Sequence, residues 1–418
     1  MSEWQSKTIA DLGKVVTGST PPSRKSNWFG ESTPFVTPSD MTEGDRRPRP
    51  ERWLSAEGLA GLRTRLIPRD SVAFVCIGSI GKVCLLESES VTNQQVNSVI
   101  PNANTDGRFL YYLLKHMAPS IAQSASGAAT PIINKSTFSQ VVVRLPGHAT
   151  QLRIAAVLGG IDDLIENNRR RIEVLEEMAR AIYREWFVKF RYPGHGDVPM
   201  VDSALGPIPE GWHVGRVGSF GRIVTGATPS TKQPRYWGEA HDTPFLTPTE
   251  MGWRRLYARP ARHLSDAGVA SVKSRLLPAG AVCFSSIGSI GKVTLAVKPL
   301  VTNQQVNSVV VDHSVTSESY VYEALSHASE RIRGMASGSA TPIINKSTFA
   351  DIRMVMTPPS LAHLFGREVG LLHSLITKLE EHSSRLGAIR DLLLPQLVTG
   401  QIDVSSLNLD TLIAEKVA

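Results

Sequence analysis

Arg46, Arg47, Arg49 and Arg52 stand close together beside Trp53, and Arg254, Arg255, Arg259 and Arg262 stand in a similar way near Trp253 and Tyr257. A guanidinium is a rigid fork of donors that fits a phosphate, or O6 and N7 of guanine, with two bonds at once. Asn93, Gln94 and Gln95 recur as Asn303, Gln304 and Gln305, and carboxamides can pair with adenine in the same two-pronged way. Lys82, Lys135, Lys292 and Lys346 also recur in matched settings, and a lysine suits a phosphate backbone. The chemistry these residues suggest is grip on a duplex. A single arginine cluster could equally be a solvated charged loop, but recurrence favours DNA contact. The matched pairs Arg49 with Arg259 and Arg52 with Arg262 are expected on phosphate. Arg46, Arg47, Arg254 and Arg255 have no match and are expected to read bases. The amide runs are the same in both places, which points to a structural or phosphate-positioning role.

Reaction chemistry is missing from the sequence. The GSIGK runs at 78–82 and 288–292 lack the spacing of a phosphate loop, and Val83 and Val293 stand where a magnesium-binding hydroxyl is needed. A tight glycine turn leading into a strand is the expectation there. No dinucleotide fingerprint, zinc-protease helix, Cys-x-x-Cys pair or nucleophile elbow occurs. The chain reads as non-catalytic, with no cofactor or metal of its own.

These residues sit in a duplicated frame. VTNQQVNSV occurs at 91–99 and 301–309, IGSIGKV at 77–83 and 287–293, TPIINKSTF at 130–138 and 341–349, and VTG at 16–18 and 224–226. The offset stays at about 210 residues, far beyond the roughly 20–50 of solenoid repeats, so a whole domain is duplicated. With 418 residues, 41% hydrophobic and 20% charged, the chain can bury more than one core. Net charge is +7, which suits a polyanionic partner. Three cysteines without ligand spacing suggest reduced thiols in a cytoplasmic protein. The charged N-terminus and the lack of a long apolar run argue against secretion and a membrane. Val- and Ile-rich runs at 71–77, 91–100, 281–287 and 301–311 read as strands, with short helices at 109–117 and 320–327 among them. Each copy is therefore expected to be a mixed α/β domain.

A different pattern follows each copy. Ile154, Ile161, Asn168, Leu175 and Ile182 lie seven apart, and 211 residues later stand Phe365, Leu372, Leu379, Leu386 and Leu393. Both series predict a long amphipathic helix with an apolar seam, about 60 Å long at ~1.5 Å per residue. Asn168 would be a polar position within that seam. Pro and Gly crowd 191–211 and predict a linker without structure of its own. The expected organisation is domain 1–149, helix 150–190, linker 191–211, domain 212–360, helix 361–398 and tail 399–418. The two helices would find each other as partners. Sequence leaves parallel and antiparallel pairing open, while the twofold symmetry of duplex DNA favours antiparallel pairing about a pseudo-twofold axis.

Taken in order and twice over, these features resemble the specificity subunit of Type I restriction-modification systems. The resemblance rests on the Gly-x-Thr-Pro turns at 18–21 and 226–229, GSIGKV, TNQ, PIINK, the LGPIPEGW element at 205–212 and the LLLPQLVTG tail at 392–400. It covers almost the whole chain. One departure is that the second helix lacks a counterpart of Gln151. The resemblance implies two target recognition domains, each reading half of a bipartite site in double-stranded DNA, and paired helices acting as a ruler between them. It also implies two methyltransferase subunits bringing S-adenosylmethionine for adenine N6 methylation, and restriction/translocase subunits using ATP with magnesium. Three other readings remain: a single-chain methyltransferase or nuclease, which would need the signatures missing above, the specificity subunit of a related bipartite system whose methyltransferase and nuclease are fused, and a coiled-coil adaptor that binds only proteins.

Overall fold

Each repeat folds as two main sheets backed by a helix, with a two-stranded sheet joining its first and last strands, Gln5–Thr8 with Val142–Leu145 and His213–Arg216 with Arg353–Met356. The structure, a computed structural model, describes residues 4–405 and 407 except 23, 43, 126–130, 197, 254 and 337–341. In the first repeat an antiparallel sheet runs in the order Gly13–Thr17, Val96–Pro101, Val72–Val75, Val83–Leu85. The second repeat has the same order in Gly221–Thr225, Val306–Val311, Val282–Ser285, Val293–Leu295. Val72–Val75 and Val282–Ser285 are buried at every position, as expected of strands covered on both faces. The helices Gly107–Gln123 and Glu318–Met335 pack on these sheets and are longer than the sequence suggests. Asp106 and Ser317 cap them, accepting from Phe109 N at 2.8 Å and Tyr320 N at 3.3 Å.

The second main sheet of each repeat, five-stranded in the first and four-stranded in the second, contains one parallel pair, Thr33–Val36 with Ser90–Thr92 and Thr243–Leu246 with Val301–Thr302. The apolar runs at 91–100 and 301–311 are therefore not single strands. Each breaks at its Asn-Gln-Gln turn and serves first one sheet and then the other.

Polar residues inside the second half of those runs have assigned work. Asn97 accepts from Thr17 Oγ1 at 2.7 Å and donates to Cys76 Sγ at 3.2 Å. Asn307 accepts from Thr225 Oγ1 at 2.7 Å and donates to Ser286 Oγ and Ile344 O. Both asparagines are buried, so these bonds offset the loss of water around their amides. The three cysteines are buried and unpaired with one another, and burial pushes the Cys76 and Cys283 thiols up to about 11.

The long helices span His148–Tyr183 and Pro359–Val398, and the first ends in a wide π turn, Arg184–Val188. The chain divides into two compact units: residues up to Asn167 with those from Ser383 onward, and Asn168–His382. Each unit thus holds one repeat with a stretch of both long helices. In the first unit Ile154, Ala155 and Leu158 share a core with Leu394, Leu397 and Val398. In the second, Ile172, Ala179, Tyr183 and Phe187 share one with Phe365, Val369, Ile376 and Leu379.

The seven-residue series falls partly on this buried face. Ile154, Asn168, Phe365 and Leu379 are buried, whereas Ile161, Leu175, Ile182, Leu372, Leu386 and Leu393 are only half-buried. Deep burial passes instead to Leu158, Ile172, Ala179, Val369, Ile376 and Leu394. An α-helix turns every 3.6 residues and drifts by roughly 20° per heptad, so a strict spacing of seven walks off the buried stripe.

The linker also differs from expectation. Met200–Val201 pairs with Ile208–Pro209, and Phe190 and Tyr192 pack on Trp212 with ring centroids 5.5 Å apart in each case. Aromatic burial orders a segment whose Pro and Gly content alone suggested none. At the start of the first long helix Gln151 is buried, donating to Pro146 O and Asn104 O and accepting from Asp106 N. In the second repeat Ser317 Oγ donates to Ala362 O at 2.9 Å, so the joint lacking a glutamine is made in another way. Among the described residues no helix is long and apolar enough to cross a membrane, and no cluster of His, Cys, Asp or Glu could hold a metal ion.

Candidate nucleic-acid interface

The motifs that repeat in sequence converge in space. Gly18 N donates to Val96 O at 3.0 Å and Ser19 N to Thr92 O at 2.8 Å, joining the Gly-x-Thr-Pro turn to the Asn-Gln-Gln turn. Cys76 N donates to Gln95 O, Ile133 N to Cys76 O, and Gly78 N to Pro131 O, which adds the GSIGK turn and the PIINK segment. Lys82 Nζ donates to Pro38 O at 2.9 Å and ties in the loop after Val36. The second repeat makes corresponding bonds: Gly226 N to Val306 O, Ala227 N to Thr302 O, Ser286 N to Gln305 O, Ile344 N to Ser286 O, and Lys292 Nζ to Pro248 O at 2.8 Å. Lys82 and Lys292 are thus braces between loops.

Glycine is required at two of these junctions. A Cβ on Gly18 would lie 2.1 Å from Asn93 O, and one on Gly226 would lie 2.2 Å from Asn303 O, so any side chain would push the turns apart. Gly78, Gly81, Gly288 and Gly291 have positive φ, confirming a tight turn before a strand. Asn93 and Asn303 close their own turn, each donating to the glutamine two residues on at 2.9 Å and accepting from its N at 3.1 Å.

The rim of this cluster is polar and, apart from half-buried Arg275, exposed. Gln94 accepts from Thr20 Oγ1, and Gln304 accepts from Thr228 Oγ1 at 2.7 Å. Arg65 and Arg275 each donate Nη1 at 3.1 Å to the carbonyl just before the turn glycine, Thr17 O and Thr225 O. Lys135 and Lys346, exposed, open the short helices that follow PIIN. Gln94 and Gln304 were picked out from sequence, for a structural or phosphate-positioning role, whereas Arg65, Arg275, Thr20 and Thr228 were not. Their signal was available, since Thr20, Arg65 and Gln94 recur as Thr228, Arg275 and Gln304 without being needed for either core.

Three of the cluster arginines face acids on the long helices. Arg46 is nearly buried, with its Nη2 2.5 Å from Asp163. Arg255 reaches Glu173 at 3.3 Å and Glu176 at 3.5 Å, and Leu256 N also donates to Glu176 at 3.1 Å. Arg259 pairs with Glu380 at 2.6 Å. These side chains dock the loop onto the helices, so the guanidinium groups of Arg46 and Arg255, expected on bases, are engaged by carboxylates of the long helices in this structure. Arg47 pairs with Glu87, and Arg49 with Asp45 at 2.9 Å. Arg52 lies over Phe29 and Phe35, and Arg262 over Trp237 and Phe245, all within 5.4 Å of the ring centres. Arg254 lies outside the described residues.

Two carboxylates missed from sequence anchor the helices. Asp162, buried, accepts from Tyr112 Oη at 2.6 Å and pairs with Arg390 at 2.8 Å. Burial pushes the Tyr112 phenol well above its ordinary range, so it stays a donor. Glu176 is also buried, and its desolvation raises the carboxyl above the usual value against the pull of Leu256 N and Arg255.

Comparison with known proteins places this arrangement. Residues 1–177 and 209–362 match the family described as Type I restriction modification DNA specificity domain. The specificity subunit of the MjaIX Type I restriction enzyme of Methanocaldococcus jannaschii is 25% identical over 97% of this chain and 95% of its own length. That of the HindI enzyme of Haemophilus influenzae is 27% identical over 72% and 79%. The crystal structure of the Type I S subunit from M. genitalium aligns over 95% of this chain and 96% of its own with a TM-score of 0.59 at 15% identity, a likeness of fold. With two copies of the domain matching most of its length, the chain belongs to the Type I restriction-modification DNA specificity family.

Proposed function

We propose that this chain is the DNA-reading subunit of a Type I restriction-modification complex, each recognition domain reading one half of a bipartite site in double-stranded DNA. The observation that carries this reading is the same polar cluster built twice from the same motifs, on two units whose remaining loops differ. The long helices pair antiparallel and set the unread gap between the half-sites. Within the second unit, Asn168 beside His382 and Trp186 against Phe365 support that direction, because position rises along one helix as it falls along the other.

The helices also dock two methyltransferase subunits, which bring S-adenosylmethionine, and restriction/translocase subunits using ATP with magnesium join them. Exposed Val174, Met178 and Leu371 in the second unit and Leu164, Ile389 and Leu392 in the first support docking along the helix flanks. The target adenine leaves the stack to be methylated at N6, so this subunit holds the flanking duplex. The complex works in the cytoplasm.

Mapping methylated adenines in the host genome, with and without this gene, tests the proposal. The expected result is methylation at two short half-sites separated by a fixed gap, lost on deletion. Methylation that is unchanged by deletion overturns it.

A further inference from the structure

We propose that the rim formed by exposed Gln94, Thr20 and Arg65, built again by exposed Gln304 and Thr228 with half-buried Arg275, is a phosphate clamp that holds each half-site's backbone without reading its sequence. The proposal rests on the DNA-reading function above and names the residues that carry its sequence-independent part.

Three observations converge on it. First, the rim is the same in both repeats. Two domains that read different half-sites need different base contacts, whereas the sugar-phosphate backbone is common to all sequences. Exposed side chains kept in both places therefore suit the backbone. Second, the fold does not explain the exposed glutamines. Asn93 and Gln95 close the turn and Gly18 permits its approach, but Gln94 is exposed and its side-chain bond is to exposed Thr20. Such a bond contributes little to stability.

Third, the donors are arranged for an anion. The carbonyl end of each glutamine accepts from its threonine, so the Nε2 amide is the end that can donate to a ligand. Arg65 and Arg275 each commit Nη1 to a backbone carbonyl, which fixes the plane of the guanidinium while its other edge can still donate. Arg46, Arg255 and Arg259, by contrast, are held by carboxylates of the long helices.

The test uses the full chain assembled with its methyltransferase subunits, the duplex found by methylation mapping, and a scrambled duplex. Gln94→Glu and Gln304→Glu keep an acceptor for the threonine hydroxyl but place a negative charge where the amide donated. Arg65→Gln removes one cation. Each should weaken binding to both duplexes by a similar factor, roughly fivefold to tenfold near 0.1 M salt, and Arg65→Gln should lower the salt slope by about one. Preference at every base position should be unchanged, and thermal melting should match the parent.

Loss of preference at one base position would make the rim a reader and overturn the proposal. So would unchanged affinity for both duplexes with Arg65→Gln and Gln94→Glu. If instead the unaltered complex does not prefer the mapped duplex to the scrambled one, the DNA-reading function itself fails. That outcome is seen before any variant is compared.

Discussion

Asp162 and Arg390, 228 positions apart in sequence, form an ion pair of 2.8 Å whose side chains are only 6% and 8% exposed. It ties the first long helix to the second within the first unit, with Tyr112 donating to the same carboxylate. At the repeat-equivalent positions of the second unit stand His373 and Ala179. There His373 faces buried Glu323 at 3.3 Å instead. The duplicated frame thus carries two different polar joints.

Removing one partner of the first joint leaves a buried charge. Asp162→Ala should destabilise the protein by about 3–5 kcal/mol, whereas replacing Asp162 and Arg390 together by leucine should cost far less. Urea unfolding of the two variants checks this. Equal losses would mean that the charges do not compensate each other.

Glu176 sets a pH dependence of opposite sense to that of a surface carboxylate. Burial raises its folded value above the unfolded one, so the folded state holds the proton more tightly. Its contribution is fully present below the ordinary glutamate range and is lost as pH rises through the raised value. Glu176→Gln keeps an acceptor for Leu256 N and removes the buried charge. It should flatten the fall in stability over that window and raise the melting temperature at pH 7 by about 2–4 °C. Arg255→Ala, which strips the carboxylate of its cation, should lower the melting temperature and leave base preference intact. Thermal melts from pH 4 to 8 and binding to single-base variants of the site measure both.

Asn168 is buried in the helix face and bonds to His382, which is exposed. Because His382 can return to water, Asn168→Leu should raise the melting temperature while loosening the register of the helices. Light scattering should then detect slipped or oligomeric species. A clean monomer of unchanged stability would show that Asn168 does not fix register.

Helix length should set the gap between half-sites. Each long helix exceeds the ~34 Å of one duplex turn, so one added heptad in both helices should change the gap in the methylation map while both half-sites stay the same. Changed half-sites with an unchanged gap would refute the ruler.

What could be read from the sequence was whatever is local or duplicated. The tight GSIGK turns and the alternation of α/β domains with long helices follow from short local strings, and the repeats from the recurrence of such strings about 210 residues on. The partners of the arginines could not be read this way. Arg46 meets Asp163, Arg255 meets Glu173 and Arg259 meets Glu380 only after the chain has doubled back, and no local pattern encodes that meeting. The break at Asn93 was hidden because an unbroken apolar run looks the same whether one sheet or two receive it. The heptad frame missed Leu158, Ile172 and Ala179 because the buried stripe follows 3.6 residues per turn.

The first unit's core joins Ile9 and Leu12 to Leu394, Leu397, Val398 and Val404, and a side chain added to Gly400 would strike the Trp4 indole. The second unit is one continuous segment. On the ribosome, where domains usually fold as they emerge, N-terminal first, the order is therefore reversed. The domain made first waits, its apolar face uncovered, while the domain made second has every residue it needs. A nonsense codon just after His382 would spare the later-made half and strand the earlier one, leaving a product whose intact domain is the wrong one for its position in the gene.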